Sequence, residues 1–197
     1  MISLIIKDFK IEMRRKFEIL SSLTFVTISS LLIAYASFLT TQKIIIPSFF
    51  VVVLFIAIFT STTSFIREMD SKTIYGLKLV PISPSLIFFA KTTFTFLLIL
   101  FQGFLELLLL SIFSNSFALL SIIPIFIIFS FHISVISAFA SALVMYSEGR
   151  SFLIPMIVFI FTLPIIIPLL RFDLITLLLE TLAISLSVFS LSSYILE

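Results

Sequence analysis

Four side chains able to hold a proton or bind a polar solute fall inside long apolar stretches: Gln102, Glu106, His132 and Glu180. Glu106 follows Gln102 by one helical turn, so in a helix the two share a face. Ionisable groups in hydrocarbon are costly and turn toward a bundle interior or a wet cavity, which makes each a candidate site by default. Two readings stay open. These groups line a polar path or act as a proton-sensitive latch, or they hydrogen-bond between helices and lock the bundle at about 1–2 kcal/mol or less per contact. His132 is the single histidine and there is no cysteine. An intramembrane histidine cluster for zinc or paired haem ligation within this chain is therefore excluded, as are disulfides and thiolate metal sites, and no metal is expected. The patterns GxxxxGK[ST], HExxH and GxSxG do not occur, and three glycines do not make a dinucleotide fingerprint. With no catalytic set, the chain is not expected to be an enzyme, to bind ATP itself, or to bind nucleic acid.

What positions these groups is a lipid bilayer. Of 197 residues, 61% are hydrophobic and 11% charged. A soluble fold of this length keeps too large a surface to hide so much apolar area. A helix needs about 20 apolar residues to cross the hydrocarbon. Six stretches qualify, near 19–39, 44–66, 85–113, 117–146, 152–170 and 174–196. Runs such as Ile122 to Phe131 and Ile157 to Leu163 lack the alternation of a membrane barrel, and backbone groups in lipid must bond internally, so the spans should be helices. Pro124 should kink the fourth span or delay its start. The fold class predicted is all-α, a polytopic six-helix domain over 19–197. Residues 1–18 form a separate element. Ile2, Ile5, Phe9, Met13 and Phe17 make one helical stripe among eight charged residues, with no apolar core of a signal peptide. This pattern predicts an amphipathic helix lying in the membrane interface.

Six crossings place the N-terminus, residues 67–91 and 147–151, and the C-terminus on one side. That side carries ten basic residues: Lys7, Lys10, Arg14, Arg15, Lys16, Arg67, Lys72, Lys78, Lys91 and Arg150. The other carries two, Lys43 and Arg171. The bias predicts a multi-pass protein of the cell membrane with both termini cytoplasmic. On the basic side, the segment from Arg67 to Pro84 is much longer than the links near 41 and 115. Ile74, Leu77 and Leu79 give it an apolar side, which predicts a short amphipathic helix ended by Pro81. Ser83 then reads as an N-cap, with Pro84 at the first helical position. The segment is an ordinary charged anchor, or its surplus length makes it a docking surface.

At this segment the sequence resembles the ABC-2 type transporter permeases, and within them the cytochrome c maturation protein B family, the haem exporter permease CcmB. The resemblance spans about residues 5–170. Its order and spacing are carried by Glu68, Leu77, Leu79, Pro81 and Lys91, then by Glu148, Gly149 and Arg150, and by the run Leu163, Pro164, Ile165, Ile166, Ile167, Pro168. The family commonly has glycine where Lys72 stands here; Gly76 follows four residues later. The resemblance implies a permease subunit without its own nucleotide site or cofactor. It implies a separate cytosolic ATPase that binds ATP and docks on a coupling segment at 67–84. Glu68, Asp70, Lys72 and Lys78 would pair with charges of that ATPase, while Ile74 and Leu77 would insert into its groove. Closure of the ATPase would re-angle the spans as rigid bodies. A second permease copy or other haem-handling membrane proteins are implied as partners, with haem as the substrate. Two alternatives stand beside this reading: an ABC-2 exporter of a lipid, drug or polysaccharide, and a membrane scaffold that transports nothing.

Overall fold

All six apolar stretches are helices. A computed structural model describes residues 2–39, 42–79, 82–147 and 150–196. Among the described residues there is no strand, and six helices are long and apolar enough to cross a bilayer. The chain is an all-α polytopic membrane protein. In order, the helices are α1 (Ile2–Arg14), α2 (Lys16–Leu39), α3 (Ile45–Ser61), α4 (Arg67–Asp70), α5 (Thr73–Leu79), α6 (Pro84–Phe113), α7 (Ile123–Val144), α8 (Arg150–Arg171) and α9 (Leu174–Leu196). A π-helical turn, Thr62–Ile66, joins α3 to α4. Pro124 delays its span without kinking it: a 3₁₀ turn, Phe117–Ile122, precedes α7, and the proline falls in the first turn, where its missing N–H costs nothing. Ser83 holds the extended backbone of an N-cap before Pro84, but its hydroxyl makes no capping bond. It lies 3.3 Å from the Ser85 hydroxyl instead. Pro81 lies outside the described residues.

Helix α7 sits at the centre, packed against α3, α6, α8 and α9. Its sequence explains that place. Ser130, Ser134, Ser137, Ala138, Ala140, Ser141 and Ala142 are small and buried, and small residues let membrane helices approach closely where no hydrophobic force separates them from lipid. Aromatic rings fill the wider gaps. Phe49 meets Phe126 at 5.4 Å between centroids and Phe50 meets Phe129 at 5.2 Å, both edge-on. Gly103 of α6 makes the closest approach: a Cβ there would lie 2.6 Å from the ring of Phe126. By contrast α2 and α9 bury only a narrow stripe and turn Leu31, Leu32, Phe38, Leu179 and Leu186 outward. In a bilayer those side chains face acyl chains, which are as apolar as they are.

Helix α1 has the stripe that the sequence predicts, and its orientation is the reverse of a soluble protein's. Ile2, Phe9 and Met13 are exposed, whereas Asp8 and Glu12 are buried; the helix stops at Arg14, so Phe17, also exposed, falls at the start of α2 rather than in one helix over 1–18. The apolar face points away from the protein, as an interfacial helix requires. The acidic face points in, because it has cations waiting there.

Candidate functional site

Two cations face inward here, the buried Lys91 and the half-buried Arg67. Lys91 is seven residues past Pro84 in α6 and is 3% exposed. Its ammonium donates to Asp8 Oδ1 at 3.0 Å and to Glu68 Oε1 at 2.9 Å. Lys7 donates to the same Glu68 oxygen at 2.6 Å, and the Thr73 hydroxyl donates to the other. One turn further along α1, Glu12 accepts from Arg67 Nη1 at 2.5 Å, while Arg67 Nη2 pairs with Glu18 at the start of α2. Arg15 closes the network on Glu18 at 2.6 Å. The hydrogen bond and the charge of Glu18 raise the Arg15 guanidinium above its ordinary value, so it stays a cation. These bonds join α1, α2, α4 and α6 at one end of the bundle. Two carboxylates and two ammoniums, Asp8, Glu68, Lys7 and Lys91, compensate one another where neither sign alone would be tolerable.

The backbone above the cluster is built to aim it. Within the π-turn, Ser64 leaves the helical region (φ −86°, ψ −113°). A single inserted residue advances helix phase by about 100°, which sets the direction in which α4 presents Arg67 and Glu68. The amides freed by the wider turn are satisfied from α7: Phe65 and Ile66 donate to Ser141 Oγ at 3.0 and 3.3 Å. A turn below, Ser137 donates to the Ala57 carbonyl at 2.8 Å. Buried backbone groups need partners, and α7 supplies them.

The segment expected to meet a partner divides into two faces. Glu68, Ile74 and Leu77 turn inward, at 5%, 1% and 8% exposure. Glu68 is therefore committed to Lys7 and Lys91 of its own chain, and Ile74 and Leu77 belong to the core rather than to a partner's groove; burying that apolar area holds α5 against the bundle. Asp70 and Lys72 are exposed. The Lys78 side chain lies outside the described residues. The outward face is instead Tyr75, Gly76 and Leu79. Lys72 occupies the left-handed region (φ 58°) just past α4, where an L-residue is disfavoured and glycine is not. Gly76 does not substitute for it, since among the described residues no glycine has positive φ. Lys72→Gly is expected to stabilise the chain by about 0.5–1 kcal/mol, the left-handed penalty less glycine's entropy cost, as a raised thermal midpoint in nanodiscs.

The four intramembrane polar residues are not gathered into one site; among the described residues no hydrogen bond joins any two of them. Gln102 donates to Ser22 Oγ at 3.4 Å and ties α6 to α2. Both carboxylate oxygens of Glu106, both ring nitrogens of His132 and one oxygen of Glu180 are buried without a hydrogen bond. The sequence reading missed Asp8, Glu12, Lys7 and Arg67 as partners. The signal was available. A lysine two turns into an apolar helix needs a counter-ion, and Asp8 and Glu12 are spaced i, i+4 on one face.

No protein-family model, curated protein or solved structure matches the chain.

Proposed function

We propose that the chain is the permease subunit of an ABC transporter of the ABC-2 type, akin to the cytochrome c maturation protein B family, driven by a separate cytosolic ATPase through α4 and α5. One observation supports this most: Glu68 and Lys91, two of the charged positions that carry the resemblance, are bonded to each other at 2.9 Å. The short helix pair is thereby tied to a transmembrane helix, and through Asp8 to α1. A push on the outer face of α5 would move α6 and α1 with it, the rigid-body coupling that such a transporter needs. Tyr75 and Leu79 form the docking face, with Asp70 and Lys72 at its rim; an exposed tyrosine is the anchor type that protein interfaces favour. The basic end faces the cytoplasm by the positive-inside bias, in the cell membrane. Haem is the cargo of this reading, held by membrane partners while this chain supplies the motion.

The full chain purified from its own membrane is expected to carry ATP hydrolysis with it. Tyr75→Glu and Leu79→Glu should each strip that activity from the preparation, whereas Lys43→Gln at the opposite end should not. Absence of any ATP-hydrolysing subunit overturns the permease reading. A second reading, export of a lipid or other amphiphile, is favoured by an apolar groove of about 440 Å³ between α1, α2 and α6, lined by Phe9, Met13, Leu23, Leu97 and Phe101. Deletion of the chain separates the two cargoes: loss of c-type cytochromes points to haem, and their retention to the amphiphile.

A further inference from the structure

Below α1, enclosed by α4 and the start of α6, lies a cavity of about 270 Å³. A water's share of liquid volume is about 30 Å³, so there is room for a solute and not merely for a bridging water. Four cations line it, Lys7, Arg15, Arg67 and Lys91, with two carboxylates, Asp8 and Glu68, while Glu12 and Glu18, outside the wall, pair with Arg67 and Arg15. Arg15, Ser71 and Thr73 are exposed and form the mouth, while Lys91 and Ser64 are buried inside.

The internal ion pairs do not use up the donors. An ammonium carries three N–H groups and a guanidinium five. Lys7 makes one hydrogen bond, to Glu68. Arg15 makes one, to Glu18, and Arg67 makes two, to Glu12 and Glu18. Several cationic donors therefore remain in the cavity wall with no acceptor assigned. One further polar atom points the same way. Ser64, the non-helical residue of the π-turn, is fully buried at the cavity wall, and its hydroxyl has no hydrogen-bond partner. A buried hydroxyl without a partner costs about 1–3 kcal/mol, which an acceptor entering the cavity would relieve.

We infer that this cavity is a binding site for a phosphate-bearing anion, held by Arg15 and Lys7 at the mouth, Arg67 on the wall and the Ser64 hydroxyl at the floor. Its position suits two sources of that chemistry. The exposed apolar stripe of α1, with Ile2, Phe9 and Met13, sets the cavity at the depth of lipid headgroups, so an anionic phospholipid can reach it from the bilayer and a soluble phosphate compound from water. The site does not depend on the permease reading; it follows from the cavity and the cationic donors that its internal ion pairs leave unused.

The test uses the full chain, delipidated in a neutral detergent. Its thermal midpoint is followed against inorganic phosphate at constant ionic strength. It is then followed against short-chain phosphatidic acid in micelles, with short-chain phosphatidylcholine as the zwitterionic control. Binding to the folded state raises the midpoint saturably. Saturation by phosphate alone supports the site with a soluble ligand. Saturation by phosphatidic acid at lower concentration than phosphate, and not by phosphatidylcholine, supports it with a lipid headgroup. Arg15→Gln, on an exposed side chain whose loss leaves Glu18 paired to Arg67, is expected to weaken the effective ligand roughly tenfold, the worth of one charge-assisted hydrogen bond. Ser64→Ala is expected to weaken it several-fold, and Lys43→Gln at the far end to leave it unchanged. The inference is overturned by no saturable shift with either ligand, or by a shift that survives both Arg15→Gln and Ser64→Ala.

Discussion

Lys91→Met is expected to destabilise the chain by about 3–5 kcal/mol, the largest effect of any single substitution at the basic end. The reason is what stays behind. Asp8 and Glu68 have side chains only about 6% exposed, and both donate nothing to each other when ionised. Lys7, itself 38% exposed, would face two carboxylates with one ammonium. Methionine fills the space of the lysine stem, so the loss isolates charge from packing. The cost should appear as a lowered thermal midpoint in nanodiscs and as faster proteolysis around Arg14–Lys16, because α1 is held by its acidic face. Glu68→Gln in the same chain is expected to return part of the loss, since it removes one stranded charge; the two substitutions should be strongly non-additive. A Lys91→Met protein within about 0.5 kcal/mol of wild type, the range of ordinary surface substitutions, would show that the cluster is solvated and holds nothing. The Glu68→Gln exchange by itself separates structure from coupling. On the permease reading proposed above, if α4 and α6 move together through this bond, Glu68→Gln alone should leave ATPase association intact and uncouple hydrolysis from export.

The fold was largely legible in the sequence, because in lipid one rule dominates. Every backbone group must bond within its own segment, so long apolar runs become helices. The predicted spans 85–113 and 174–196 lie within a residue of α6 and α9. What the hydropathy could not reveal is direction. A charged face on α1 reads as a surface face by soluble-protein habit. Here the surface is hydrocarbon, so Phe9 and Met13 turn out and Asp8 and Glu12 turn in. The same inversion governed the segment 67–84. Its apolar residues Ile74 and Leu77 read equally well as a partner's anchors or as the chain's own core, and periodicity is identical in both cases. Glu68 was legible as an important position but not as an internal one. Its partner Lys91 is 23 residues away across a turn, and Lys7 is 61 residues away. Pairings at such separation depend on the π-turn at Ser64, which no residue pattern announces; it is sustained by Ser141 from a helix much later in the chain. The sequence rule that did extend this far was the cost of ionisable groups in apolar helices. It flagged Glu106 and His132, which are buried and unbonded, and it applies with equal force to Lys91.

Gly103→Ala is expected to lower stability by about 1 kcal/mol, although the same exchange stabilises an ordinary helix interior by about 1 kcal/mol. Packing reverses the sign. A methyl at this position would meet Phe126 Cε2 at 2.6 Å and Cζ at 2.7 Å, with Val53 Cγ2 at 3.5 Å behind it. The ring cannot step aside cheaply, being 1% exposed and packed edge-on against Phe49. Overpacking of this kind costs about 1–3 kcal/mol, which exceeds the gain in helix propensity. Gly103→Leu should cost about 3 kcal/mol, at the upper end of that range, because the extra carbons have only the space of α7 to enter. Gly76→Ala is the control. Gly76 lies in α5 with nothing within 4 Å of an added Cβ, so alanine there should stabilise by about 1 kcal/mol. Thermal unfolding of the two variants in nanodiscs should therefore shift in opposite directions. Phe126→Ala supplies the second check. By emptying the space that the methyl invades, it should make Gly103→Ala favourable in the double variant even though Phe126→Ala alone costs about 3–5 kcal/mol. Equal, stabilising shifts at Gly76 and Gly103 would mean that α6 and α7 stand further apart than the contact of Gly103 with Phe126 requires.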